Sequence, residues 1–202
     1  MILSDRDIKK AIAAGRIRIL PEPDLAETLG PCAVDFRLSS TFRTFRVNHF
    51  PVIDPRNKAM HDDITEVITI EGDRPFIIHP GEFVIASTIE WLELSDDLIG
   101  RLEGRSSLAR MGVMVHSTAA RFDPGWKGNA VLELGNLGRM PVALYPGMRI
   151  CAFTFEQLSS PAEISYTKRK SSKYVDQRGP SESGLSKELA GEPAPPTTKP
   201  FI

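Results

Sequence analysis

Near the start of the chain, apolar positions recur at helical spacing. Ile8, Ala11 and Ile12 share one face behind Ser4 and Asp7, which stand at capping-box spacing, and Gly15 supplies a C-terminal stop. This pattern predicts one short amphipathic helix. Pro21, Pro23 and Pro31 then break the chain into turns and extended pieces, because proline fixes φ and biases the residue before it. From Val34 to about Phe155 the pattern changes to short β-branched and aromatic stretches. Phe76-Ile77-Ile78, Phe83-Val84-Ile85-Ala86, Ala130-Val131-Leu132-Glu133-Leu134 and Ile150-Cys151-Ala152-Phe153 read as strands. His79-Pro80-Gly81-Glu82, Asp123-Pro124-Gly125 and Tyr145-Pro146-Gly147 read as turns between them. Many short strands joined by Pro-Gly turns predict a mainly β fold, a sandwich or distorted barrel. Ser106 to Met111 is the exception, with the pattern of a single helical turn.

The chain has 202 residues, enough for one domain with a real core, and no internal repeat divides it. Residues 166–187 are basic and polar, with Lys168, Arg169, Lys170, Lys173 and Arg178 close together. Residues 188–202 carry four prolines and little apolar content, the composition of a disordered tail. The expected division is therefore a domain over 1–187 and a tail over 188–202.

Charge narrows the function classes. With 25 Lys and Arg against 26 Asp and Glu, the net charge is -1, which speaks against a nucleic-acid or membrane-surface binder. Any anionic ligand must be held by a local cluster of basic groups. Cys32 and Cys151, the only cysteines, form neither a disulfide framework nor a zinc ribbon, so a reducing cytoplasm is expected. The first residues lack the basic head and apolar stretch of a signal peptide, and no apolar run nears the about 18 residues of a membrane helix.

Four segments carry candidate chemistry, and each also has a bland reading. In Gly104-Arg105-Ser106-Ser107-Leu108-Ala109-Arg110, two arginines and two hydroxyls bracket a turn and can surround a phosphate. On composition alone a solvated turn is the better reading. In Thr118 to Gly128, Asp123 beside a Pro-Gly turn and Trp126 can receive a sugar hydroxyl, while the alternative is an ordinary β-turn aspartate. Glu133 interrupts the apolar Val131-Leu132-Glu133-Leu134. It is either an outward residue of a half-solvated strand or, facing a cleft, a desolvated acid suited to proton transfer. Periodicity does not choose between these. Tyr166 to Pro180 mixes cations, aromatics and an amide without strand or helix period, as either a flap over a polyanion or a flexible basic tail.

In this order and spacing, the four segments together with Leu3-Ser4-Asp5-Arg6-Asp7, Pro80-Gly81-Glu82 and Arg178-Gly179-Pro180 resemble the dCTP deaminases. The likeness covers roughly nine-tenths of the chain, all but the Pro-rich tail, and the full set is far more specific than Gly-Arg-Ser-Ser, which dUTPases share. The resemblance implies a dUTPase-like distorted β-barrel or jelly-roll of the β-clip type, with a short N-terminal helix and few others. It implies hydrolysis of dCTP to dUTP and ammonia by a homotrimer with intersubunit sites, with Mg²⁺ travelling on the triphosphate and dTTP as a plausible feedback inhibitor. Carried over by position, Arg105, Ser106, Ser107, Leu108, Ala109 and Arg110 match the triphosphate-binding segment, and Ser106 and Arg110 match polar helpers beside the reacting base. Asp123 matches the deoxyribose-side carboxylate. Val131, Leu132 and Glu133 match the strand that meets the pyrimidine, with Glu133 at the catalytic position. Tyr166, Lys173 and Gln177 match nucleotide contacts on a C-terminal lid.

The residue types suit this chemistry. Water must attack the ring carbon that bears the amine while protons reach the ring nitrogen and the departing ammonia, and one carboxylate can relay them. Most nucleobase deaminases use zinc held by a His-x-Glu and Pro-Cys-x-x-Cys signature. Here His49, His61, His79 and His116 lack ligand spacing and Pro31-Cys32 has no second cysteine, so no zinc is expected. For His116 a structural role is the better reading. The nearest alternative is a bifunctional deaminase–dUTPase releasing dUMP and pyrophosphate. Ala120-Arg121-Phe122 and Trp126 place the chain nearer the deaminase-only group, although Ala120 departs from both patterns. A pure dUTPase usually has an apolar residue where Glu133 stands. A silent nucleotide-binding trimer would have lost Glu133 or the arginines.

Overall fold

The computed structural model describes residues 1–47, 49, 52–55, 57 and 63–185. The tail expected at 188–202 and its boundary at 187 lie outside them. Helix α1 spans Asp5–Ala13 and buries Ile8 and Ala11. It ends as predicted at Gly15, whose φ of 69° permits the reversal. Gly15 N–H donates to Ile12 O at 2.9 Å and Arg16 N–H to Ala11 O at 2.8 Å, the paired bonds of a Schellman ending. The start differs from the expected capping box. Ser4 sits at the N-cap, but its hydroxyl meets the Asp7 carboxylate at 3.4 Å and caps no backbone amide. Asp7 is drawn to Arg6 Nε at 3.3 Å and Lys10 Nζ at 3.6 Å instead of reaching back.

The strands are β1 Ile17–Leu20, β2 Ala33–Arg37, β3 Thr41–Phe45, β4 Thr65–Thr69, β5 Phe76–Ile78, β6 Phe83–Leu94 and β7 Leu98–Gly104. Helix α3, Ser106–Ala109, is the predicted single turn, followed by β8 Val113–Met114, β9 Arg121–Phe122, β10 Lys127–Asn136, β11 Val142–Leu144 and β12 Arg149–Gln157. One further helical turn, α2 at Leu25–Thr28, forms where only turns and extended pieces were expected. Asp24 starts it by accepting the Ala26 N–H at 2.9 Å.

The mainly β expectation holds. One sheet runs β4-β3-β6-β10-β8 with β1 added to β6, a second runs β2-β12-β7-β9, and β11 pairs with β5; these sheets are open, not closed into a barrel. The three Pro-Gly turns form as read. Each places glycine at positive φ (79°, 73° and 84° at Gly81, Gly125 and Gly147). Each closes with an amide-to-carbonyl bond, Glu82 to His79 at 3.1 Å, Trp126 to Asp123 at 3.0 Å and Met148 to Tyr145 at 3.1 Å. Both large sheets and α1 contribute to one core, in which Phe36 packs on Phe153 at 4.7 Å and Phe122 on Phe153 at 4.9 Å. Each buried ring contributes on the order of 2–3 kcal/mol.

The C-terminal segment leaves this body at the β6–β7 turn. Leu158 N–H donates to Asp97 O at 2.9 Å and Ala162 N–H to Asp96 O at 2.7 Å. The Asp97 carboxylate accepts from Arg16 Nη2 at 2.5 Å, from Gln157 Nε2 at 3.2 Å and from the Ser95 hydroxyl. Burial by itself would raise its pKa; the three donors outweigh that and hold the carboxyl below its usual range. No helix among the described residues is long and apolar enough to cross a membrane.

Candidate active site

Strand β10 decides which way Glu133 faces. Ala130, Leu132 and Leu134 are fully buried in the core. With side chains alternating across the strand, Val131 and Glu133 project from the opposite face, into a cleft of about 480 Å³. Phe83 and Ile85 of β6 join Val131 on the floor, and Glu133 stands directly across the ladder from Ile85. The acid therefore sits half-buried on an apolar floor. One of its oxygens accepts the Ser117 N–H at 2.7 Å. Among the described residues the other has no protein donor, so it is available to a ligand or water.

Two features of the backbone shape the cleft wall. The β6–β10 ladder breaks between Asn129 and Val131, where Ala130 N–H turns to the Thr88 hydroxyl at 3.1 Å. Such bulges re-aim neighbouring side chains. At the Asp123-Pro124-Gly125 turn, Asp123 accepts from Arg121 Nε at 2.9 Å, and both residues line the cleft beside Phe122 and Trp126. Those two rings meet edge to face at 4.6 Å.

The segment over 159–185 docks along one side of the cleft as a strap. Tyr166 N–H donates to Pro124 O at 2.8 Å, and the Tyr166 hydroxyl accepts Tyr174 N–H at 3.1 Å. Gln177 then occupies the bulge. Asn129 N–H donates to Gln177 O at 2.9 Å, and Gln177 Nε2 donates to Asn129 O at 3.0 Å. Gly128 makes this approach possible, since a Cβ there would lie 2.9 Å from Gln177 O. Arg178 covers the Trp91 ring at 5.5 Å, and Lys127 pairs with Asp176 at 3.2 Å. The described part of this segment, read from sequence as either a flap or a flexible tail, is docked against the cleft wall.

A family model described as dCTP deaminase-like matches residues 2–158. The chain belongs to the dCTP deaminase-like family. It is 56% identical over 192 residues to a dCTP deaminase of Thermomicrobium roseum, covering 95% of this chain and 98% of that one. It is 50% identical over 186 residues to a "dCTP deaminase, dUMP-forming" of Dictyoglomus thermophilum, covering 92% and 95%. The crystal structure of an Agrobacterium tumefaciens 2'-deoxycytidine 5'-triphosphate deaminase shares the fold at TM-score 0.59 and 19% identity, over 77% of this chain and 47% of that one.

In this dCTP deaminase-like chain the residues singled out by sequence fall into two groups. Asp123, Val131, Glu133, Tyr166 and Gln177 converge on the cleft. Leu132 lies on the same strand with its side chain in the core, leaving its backbone beside the floor. None of residues 105–110 lines the cleft. Leu108 anchors α3 in the core, while Ser106, Ser107, Ala109 and Arg110 are exposed. Arg105 is tied to Asp35 at 3.2 Å and to Arg149 O at 3.1 Å. Lys173 lines a separate concavity with Arg169, Lys170 and Ser172, which shares Tyr166 and Tyr174 with the cleft. Sequence reading missed Ser117, Asn129, Tyr174, Arg43 and Glu182. Ser117 and Asn129 act through main-chain or amide groups, which carry no sequence signature, whereas Tyr174 stood visible as an aromatic inside the basic segment.

Proposed function

We propose that this protein hydrolyses the exocyclic amine of dCTP to give dUTP and ammonia, supplying dUTP for dUMP and dTTP synthesis. One observation carries the reading: a half-buried carboxylate, Glu133, accepts the Ser117 N–H on the apolar floor of the cleft, and among the described residues its second oxygen has no protein donor. Glu133 takes a proton from the attacking water as oxygen bonds to C4, then passes it to N3. A second proton, from the added hydroxyl, moves through the same carboxylate to the amine, which leaves as ammonia and balances dCTP plus water against dUTP plus ammonia. The proposal gives zinc no part, on the ground that the sequence lacks the cytidine-deaminase ligand signature.

The remaining roles follow the family pattern. Val131 and Leu132 present backbone groups to the pyrimidine, Asp123 receives the deoxyribose hydroxyl, and Tyr166, Lys173 and Gln177 contact the nucleotide from the strap. Arg105, Ser106, Ser107, Leu108, Ala109 and Arg110 bind the triphosphate, with Ser106 and Arg110 as catalytic helpers beside the base. Because that turn is exposed and away from the cleft of its own chain, it serves a neighbouring copy, in a homotrimer with sites between subunits. Mg²⁺ arrives with the substrate, on phosphate oxygens. dTTP, a pyrimidine triphosphate with no exocyclic amine to lose, fits the same contacts and is a candidate feedback inhibitor. The enzyme works in the cytoplasm without nucleic acid or membrane.

A second reading is favoured by the 50%-identical relative, whose name is dUMP-forming. Incubation of purified protein with dCTP and Mg²⁺, with every product identified, separates the two. Ammonia with accumulating dUTP supports deamination alone, whereas ammonia with dUMP and pyrophosphate makes the enzyme bifunctional. Absence of ammonia overturns both, in favour of a dUTPase if dUTP supplied in a parallel incubation is cleaved and of a silent binding protein if it is not.

A further inference from the structure

Arg43 has no place in the proposed proton chemistry, yet it ties the body to the end of the strap. It belongs to β3, whose residues pair with β4 on one side and with β6 beside the cleft floor on the other. Its guanidinium reaches across to the end of the strap. Nε donates to Pro180 O at 2.9 Å, and Nη1 donates to the Thr65 hydroxyl at 2.9 Å and to the Glu182 carboxylate. Thr65 in turn donates to Glu182 Oε1 at 2.7 Å. The Arg43 and Glu182 side chains are each 24% exposed, so the pair is shielded and its charges are little screened by salt. The planar fork of arginine presents separate nitrogens to the carbonyl and the carboxylate in a fixed geometry.

The position of Glu182 gives this contact a consequence. Glu182 lines the cleft together with Asp123 and Glu133. Without a cation on it, a third carboxylate would face the place where a polyanionic nucleotide enters. The strap between Tyr166 and Pro180 also carries Tyr174 and Gln177 onto the cleft wall, and the Tyr174 hydroxyl accepts the Gly184 N–H at 2.9 Å just beyond the clasp.

We propose that Arg43 is a positioning residue that clasps the strap shut through Pro180 and Glu182, and that by neutralising Glu182 it keeps the closed cleft open to a nucleoside triphosphate. For its kinetic arm alone this inference rests on the deaminase reading. The test compares wild type, Arg43→Met, Glu182→Gln and the double variant by amide exchange and by steady-state kinetics with dCTP. Glu182→Gln changes only the strap, so it stays informative if Arg43→Met disturbs β3. In the absence of nucleotide, Arg43→Met and Glu182→Gln speed exchange at Gly179 and Gly184 by about tenfold, with Leu132 in β10 unchanged. With dCTP, Arg43→Met raises KM by roughly tenfold with kcat held within about twofold, and adding Glu182→Gln recovers most of that rise. Unchanged exchange at Gly179 and Gly184 overturns the clasp. A KM rise that persists undiminished in the double variant overturns the charge role. If wild type releases no ammonia, the deaminase reading fails and the exchange arm alone decides the clasp.

Discussion

Replacing Glu133 by Gln tests the proposed chemistry with little structural disturbance. The side chain keeps its length, and an amide oxygen can still accept the Ser117 N–H that now lies 2.7 Å from the carboxylate. Exchanging a charged acceptor for a neutral one weakens that bond by roughly 1 kcal/mol, so the variant should fold and melt within a few degrees of wild type. Binding of dCTP should survive, because the apolar floor and the strap are untouched. Turnover should not. A positioned acid–base group contributes about 10²–10⁴-fold, and Glu133 is asked both to take the proton from water and to deliver protons to N3 and the amine. The expectation is therefore the upper end, a kcat loss of about 10⁴-fold, equivalent to about 5 kcal/mol of barrier. Ammonia release under saturating dCTP, paired with calorimetric binding and a thermal melt, reads all three quantities. A folded variant that binds dCTP and turns it over within about tenfold of wild type would refute the role of Glu133.

Two further outcomes test the assembly and the contacts where the C-terminal segment leaves the body. Glu133→Gln and Arg110→Ala subunits, each inactive alone, should regain about a quarter of wild-type turnover when refolded together in equal amounts, since about one site in four then joins an intact Glu133 to a neighbour's intact Arg110; a mixture that stays at background shows that the sites do not span copies. Asp97, held by its donors below its unfolded value of 3.8, should contribute stability in full above about pH 4 and lose it as pH falls through the lowered folded value. The melting-temperature gap between wild type and Asp97→Asn should accordingly be flat from neutral pH to about 4 and close below that, and a gap that widens in acid contradicts the assignment.

What could be read from the chain was what neighbouring residues decide among themselves. The three Pro-Gly turns depend on proline's fixed φ and glycine's freedom at positive φ, both local, and all three form. The end of α1 at Gly15 is local in the same sense, and so is the helical turn after Arg105. The limits are equally physical. Strand β6 continues eight residues past the predicted Ala86, because its length is set by pairing with β1 and β10 and not by its own composition. The facing of Glu133 was undecidable, since alternation defines two faces without saying which one is covered. Burial of Ala130, Leu132 and Leu134 by the opposite sheet and α1 settles it. The strap was ambiguous for a similar reason. Its anchors are distant in sequence, 48 positions between Asn129 and Gln177 and 137 between Arg43 and Pro180, so no window along the chain contains both partners.

The distribution of charge around the cleft bears on why one chain is not expected to act alone. Its described lining includes the acids Asp123, Glu133 and Glu182 but a single cation, Arg121, already paired with Asp123. A surface of that sign suits a neutral base and sugar and a proton-carrying carboxylate. It opposes a triphosphate, whose several negative charges need cations or a metal within a few ångströms. On the proposed reading, cations from outside the cleft supply that charge, and two basic segments of this nearly neutral chain are the candidates. One is the loop of the strap that carries Arg169, Lys170 and Lys173; the other is the exposed turn ending in Arg110. The loop shares Tyr166 and Tyr174 with the cleft and can serve its own chain. The turn cannot, because Leu108 pins it to the core and Arg105 is fastened to Asp35. Rearranging it inward would cost both the buried leucine and the ion pair. Presenting the same rigid turn to the cleft of an adjacent copy costs neither, and under the proposed function it would separate the cations assigned to phosphate from the carboxylate assigned to proton transfer.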